Sequence, residues 1–170
     1  MHDTERQDKA AICEVWRRRK HQLPETQAQV RQAAFEIIRR GHIATHERLQ
    51  NRVKLAHETL GDALSQLHTR GLIVHDPQRG GVVGAYGLSL QPTPHVLELG
   101  AVRLYTWCAL DAVGIPAGLQ EDAVVRGQCF LCQRELNVRY GTGQVSHISA
   151  PDLQVWIAVP DPQRSAVGET

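Results

Sequence analysis

Between residues 25 and 90 the spacing of apolar residues changes period, and this change limits the fold more than any other feature. In "LPETQAQVRQAAFEIIRRGHI" the series Val30, Ala33, Ala34, Ile37 and Ile38 recurs at helical spacing, with Thr26 placed to cap the start and Gly41 to stop the end. "ATHERLQNRVKLAHETLGDALSQLHTRGLIV" carries Leu49, Val53, Leu60, Leu64 and Leu67, which fit two further helices with a break near residues 53–56 and a stop at Gly71. The pattern then becomes two β-branched runs around a Pro/Gly turn in "GLIVHDPQRGGVVGAYGLSL", a hairpin signature. Three helices followed by a hairpin is the order of a winged helix-turn-helix, with the third helix at roughly 57–70 and the wing tip at 75–81.

The residues of that third helix argue against DNA contact. His57, Glu58, Thr59, Asp62, Gln66 and Arg70 give a mixed-sign surface, with acids where phosphate contacts need bases. Charge divides along the chain: residues 1–79 carry 14 Lys/Arg against 10 Asp/Glu, and residues 80–170 carry 5 against 8. The halves therefore read as two lobes with different tasks. The basic run Arg17 to Lys20 is a solvated face or a phosphate patch.

No apolar run is long enough to span a membrane, and the charged start "MHDTERQDKA" lacks the apolar segment of a signal peptide. Four cysteines at positions 13, 108, 129 and 132 are too irregular for a disulfide framework, so the expected compartment is the cytoplasm.

The chemistry gathers in the second half. "HVLEL" alternates as a short strand, and Arg103 to Val113 has helical composition, which puts Cys108 and Asp111 on one face near a helix start. There the free backbone N–H groups should lower the thiol pKa. The plain alternative is a small buried thiol beside an exposed carboxylate. Further on, "QCFLCQREL" holds Cys129 and Cys132 as C-x-x-C, half of a tetrahedral zinc or soft-metal site. Cys108 or His147 could complete it, and the alternative is a strand-turn-strand with two partly buried thiols. His42, His46, His57 and His68 read as structural or solvated, and Cys13 as buried. Tyr105, Trp107 and Trp156 read as core around the helix.

"GVVGAYGLSLQPTPHVLEL", "RLYTWCALDAVGIPAGL" and "VVRGQC" together resemble the alkylmercury lyase (organomercurial lyase) family, from about Gly41 to near Val159. The resemblance implies an α+β fold. A winged-helix-like three-helix module with its hairpin (residues 25–91) follows a basic tail (1–24) and precedes an organomercurial-lyase-like core of helix and antiparallel strands (92–170), shortened relative to the family. It also implies protonolysis of a carbon–mercury bond without an organic cofactor, in mercury detoxification. Cys108 would be the mercury-binding thiolate and Asp111 the proton relay.

The family's second mercury-binding cysteine lies beyond the point where this chain ends, and no cysteine follows Cys132. Cys129 falls at a position assigned a structural role, and Cys132 is an addition. Either would have to replace the missing thiolate, making Cys108, Cys129 and Cys132 the expected metal ligands. The implied partners are an organomercurial, free cellular thiols and a mercuric reductase that accepts the ion, with DNA disfavoured though not excluded and no membrane. Two other readings stay open: a non-catalytic binder of mercury, copper or zinc on the same fold, and a metal-responsive winged-helix regulator.

Overall fold

The computed structural model describes residues 23–155. Three helices come first: α1 (Glu25–Ile38), α2 (His46–Val53) and α3 (His57–Thr69), with the two-residue strand β1 (Ala44–Thr45) before α2. The strands β2 (Ile73–Asp76), β3 (Gly81–Ala85), β4 (Leu88–Ser89), β5 (Val96–Leu99) and β6 (Val102–Thr106) follow. Helix α4 (Ala109–Leu119) then precedes β7 (Ala123–Gln128), β8 (Glu135–Gly141) and β9 (Gln144–Ile148).

Local chemistry accounts for these boundaries. Thr45 caps α2 by accepting the N–H of Arg48 (3.3 Å), and Lys54 ends that helix in the left-handed region (φ 53°). Helix α1 begins after Pro24 with no side-chain cap, so Thr26 lies inside the helix and not at its start. Glu25 in the first turn complements the helix dipole instead. Gly41 turns the chain with φ 80°, as its position after the last apolar pair required. The segment from Arg103 differs from expectation. Residues 102–106 are strand β6, where Leu104 and Thr106 are buried in alternation with Arg103 and Tyr105 and the backbone pairs with both β4 and β5, and the helix starts only at Ala109. It then continues through Pro116 to Leu119.

All strands of the described residues join one antiparallel sheet in the order β1-β3-β4-β6-β5-β7-β8-β9, with β2 on the other edge of β3. The short strand β4 is the link between the front and back of the chain. Leu88 pairs with Ala85 of β3 on one side and with Thr106 of β6 on the other. Helices α1 and α3 pack on each other and on the β2–β3 region, and α4 packs across β5 to β8.

One apolar core runs through both parts. Ile38, Leu49, Leu60, Leu67, Ile73, Val82, Leu88, Leu97 and Leu104 are all fully buried. Each contributes on the order of 2 kcal/mol by leaving water. Polar residues of α3 and its C-cap are partly occupied with this packing: Gln66 accepts from Gln27 Nε2 (2.6 Å), and Arg70 donates to Gln27 Oε1 (3.2 Å).

Candidate active site

Strand β6 delivers Cys108 to the first turn of α4, where it is the N-cap residue with extended backbone (φ −148°). Its sulfur accepts the N–H of Asp111 at 3.4 Å, and its S–H donates to Asp111 Oδ2 at 3.1 Å. The thiol and the carboxylate thus touch directly, and both are half-buried. Thr106 Oγ1 donates to the Cys108 carbonyl (3.0 Å), fixing the backbone ahead of the thiol.

The floor beneath Asp111 is the β3–β4 hairpin. Ala85 pairs with Leu88, and the two-residue turn Tyr86-Gly87 has positive φ at both positions (50° and 85°), as the twist of a tight hairpin demands. Gly87 packs so closely that a Cβ there would meet the Asp111 carboxylate. The Gly87 carbonyl also accepts the N–H of Trp107 (2.8 Å), which ties the turn to the cysteine's neighbour. Tyr86 is held from the helical side: the Arg31 guanidinium lies 3.7 Å over its ring and Phe35 meets it edge-on at 5.8 Å. Arg31 Nε also donates to the Leu72 carbonyl (3.0 Å).

A second wall is the loop before β5. Thr93 Oγ1 donates to the Thr106 carbonyl (2.8 Å) and accepts the N–H of His95 (3.1 Å), while the His95 carbonyl accepts the N–H of Thr106 (3.0 Å).

The electrostatics invert the expectation for the thiol. Burial first, then the hydrogen bond and charge of Asp111, push the Cys108 thiol up to about 11, although the Asp111 N–H pulls the other way. The helix N-terminus is present, but desolvation and a neighbouring carboxylate outweigh it. Burial also raises Asp111, opposed by Cys108 and by the charges of His95 and Arg31. His95 is itself lowered, mainly by burial. At neutral pH the Cys108 thiol keeps its proton and donates it to Asp111, and is not a free thiolate.

Cys129 and Cys132 lie elsewhere, at the tip of the β7–β8 hairpin. Cys129 N–H donates to the Arg134 carbonyl and Gln133 N–H to the Cys129 carbonyl, each at 2.9 Å. Between the cysteines, Phe130 and Leu131 are 91% and 88% exposed. The backbone N–H groups of Cys132 and Leu131, with the Cys132 side chain, lower the Cys129 thiol. Among the described residues, no three His, Cys, Asp or Glu side chains gather closely enough to hold a metal ion. The expected set of Cys108, Cys129 and Cys132 is therefore two separate thiol sites, and His147, exposed on β9, completes neither. Cys13, Trp156 and the run Arg17 to Lys20 lie outside the described residues.

Three residues of the site had no signal strong enough to find them. Gly87 sat within a motif that read as strand, Arg31 within a helix, and His95 next to a proline break. Tertiary packing brings them to Asp111, Gly87 from the β3–β4 turn, Arg31 from α1 and His95 from the residue before β5.

Residues 88–170 match the family model described as alkylmercury lyase, a span that begins at the strand linking the two parts and includes both thiol sites. Over this span the chain is similar to alkylmercury lyases. It is 32% identical to the alkylmercury lyase of Pseudomonas putida over 114 residues, 63% of this chain and 53% of that one. It is 36% identical to the alkylmercury lyase of Streptomyces lividans over 84 residues, 49% of this chain and 39% of the other. The chain thus spans about half the length, or less, of these two curated alkylmercury lyases. Among solved structures, the mercury-bound form of MerB2 superposes with a TM-score of 0.68 at 27% identity, covering 77% of this chain and 63% of that one. Among the described residues no helix is long and apolar enough to cross a membrane.

Proposed function

We propose that the chain acts as an organomercurial lyase, cleaving a carbon–mercury bond by protonation through Cys108 and Asp111. The observation that carries this reading is the 3.1 Å contact between the Cys108 thiol and Asp111 Oδ2. A soft R–Hg⁺ electrophile bonds to the Cys108 sulfur, and the displaced thiol proton passes to the Asp111 carboxylate. Asp111, already biased towards its acid form by burial, then returns that proton to the carbon. The electron pair of the carbon–mercury bond takes up the proton, giving R–H, and mercury stays on sulfur as Hg²⁺.

A small cellular thiol supplies the second sulfur ligand in this scheme, since Cys129 and Cys132 do not gather with Cys108. A thiol kept protonated suits the reaction, because it is the store from which the carbon receives its proton. The likeness of the Cys108 region to alkylmercury lyases, and of the fold to a mercury-bound relative, supports the substrate class.

The front of the chain serves in this reading as a winged-helix-like module that braces the site. Arg31 on α1 holds Tyr86, and Tyr86-Gly87 holds Asp111. Binding to DNA is disfavoured by the acids of α3 and by the engagement of Gln66 and Arg70 with Gln27. The setting is the cytoplasm, with a mercuric reductase as final acceptor of the ion.

Phenylmercury with excess free thiol tests the proposal. The parent chain should release benzene and inorganic mercury, and Cys108→Ala should release neither. Unchanged phenylmercury in the presence of folded parent protein would overturn it.

A further inference from the structure

The β7–β8 tip carries two thiols that the protonolysis scheme leaves unused. We propose that Cys129 and Cys132 form a chelating dithiol that takes the mercuric ion off Cys108 and presents it to outside acceptors. The origin of the ion rests on the protonolysis reading; the dithiol site itself does not.

The sheet places the two thiol sites at one end of the molecule. Val96 pairs with Tyr105 of β6 on one side and with Arg126 of β7 on the other. Cys108 is three residues beyond Tyr105, and Cys129 three residues beyond Arg126, each just past the end of its strand, and the two strands run the same way. Two interstrand spacings separate β6 from β7, roughly 10 Å. This gap is too wide for one ion to bridge directly, yet short enough for a carrier thiol to cross. His95 lies between, electrostatically coupled to Asp111 and with Nδ1 3.7 Å from where a Cβ on Gly127 would stand.

The tip is built to hold both sulfurs on one turn. The backbone pairing of Cys129 with Arg134 closes the loop, the Gln133 N–H bond to the Cys129 carbonyl tightens it, and Gln133 adopts φ 57°. Gln133 Nε2 also donates to the Phe130 carbonyl (3.0 Å). Two thiols with no third donor among the described residues suit a soft ion content with two sulfurs better than zinc, which takes four ligands. Phe130 and Leu131 project into solvent between them, so an incoming thiol has open access to the metal.

The exchange balances without an oxidant. The mixed complex of Hg²⁺ with Cys108 and a small thiolate meets the two tip thiols. Both mercury–sulfur bonds are exchanged, the Cys129 and Cys132 protons pass to Cys108 and the small thiol, and mercury ends between Cys129 and Cys132.

The test uses the full chain with Cys13→Ser, so that the fourth thiol does not count. Reduced protein is loaded with one equivalent of mercuric chloride, and the metal retained against excess monothiol is measured after desalting. The parent and Cys108→Ala should each retain one ion, while Cys129→Ser and Cys132→Ser should lose retention by about a hundredfold, the loss of a chelate's advantage. Equal retention in the serine variants, with unchanged urea midpoints, would overturn the site.

Transfer is then read after a single turnover of phenylmercury, by alkylating free thiols and mapping peptides. Protection of Cys129 and Cys132 with Cys108 alkylated is the expected result, and the reverse pattern would overturn the transfer. Retention at the tip by a protein that yields no benzene would refute the protonolysis reading and leave the dithiol site standing.

Discussion

Replacing Gly87 with alanine should damage the site through the backbone of the β3–β4 turn. Gly87 holds φ 85°, where an alanine costs roughly 1–2 kcal/mol. Its new Cβ would also press on the Asp111 side chain, whose Cβ lies 2.8 Å away and whose carboxylate carbon and Oδ1 lie closer still. The turn cannot back away freely, because the Gly87 carbonyl accepts the Trp107 N–H at 2.8 Å. Overpacking of this kind costs about 1–3 kcal/mol, so the total is about 2–5 kcal/mol. Urea unfolding of the single and double variants separates the two parts. In an Asp111→Ala background the carboxylate crowding is gone, so Gly87→Ala should cost about 1 kcal/mol less there. The Cys108–Asp111 contact should also be lost in Gly87→Ala alone. The same cost in both backgrounds would refute the claim that Gly87 is small to make room for Asp111.

Alkylation of Cys108 should titrate with a midpoint of about 11. Because Asp111 raises that thiol through its hydrogen bond and charge, Asp111→Asn should move the midpoint down; an unmoved midpoint would contradict the pairing. The sign for stability follows: the unfolded thiol ionises near 9 while the folded one keeps its proton, so this group's contribution is present below pH 9 and is lost as pH rises towards about 11. Cys129, lowered by its backbone N–H partners, should be alkylated well before Cys108 at neutral pH. Arg31→Met should cost about 1–3 kcal/mol in urea unfolding by removing the bond to Leu72 and the stack over Tyr86, and should slow the lyase reaction by loosening Tyr86-Gly87.

The helices were readable because their burial follows a short-range period. Val30, Ala33, Ala34, Ile37 and Ile38 are all buried on one helix, and the break before α3 falls at residues 54–56, as spacing suggested. The proximity of Cys108 and Asp111 was readable for the same reason, since three residues in a first turn bring two side chains together. Their protonation was not. A helix start favours a thiolate, but the burial that outweighs it is a tertiary property, like the packing of Gly87 on Asp111 from a turn distant in sequence.

The strand at Arg103 was misread because "RLYT" sits beside apolar residues suited to either period. Its pairing with both β4 and β5 decides the matter, and pairing is a long-range property. The separation of Cys129 and Cys132 from Cys108 was hidden likewise, because the C-x-x-C spacing fixes the turn but not its position relative to another element.

The central claim is that Asp111 passes the Cys108 proton to carbon, and a single turnover of phenylmercury by Asp111→Asn tests it most directly. Mass spectrometry of the intact protein reports whether the phenyl group remains. The account predicts that Asp111→Asn binds phenylmercury on Cys108, keeps it and forms no benzene, whereas the parent retains mercury without phenyl. Release of benzene by Asp111→Asn at the parent's rate would contradict it.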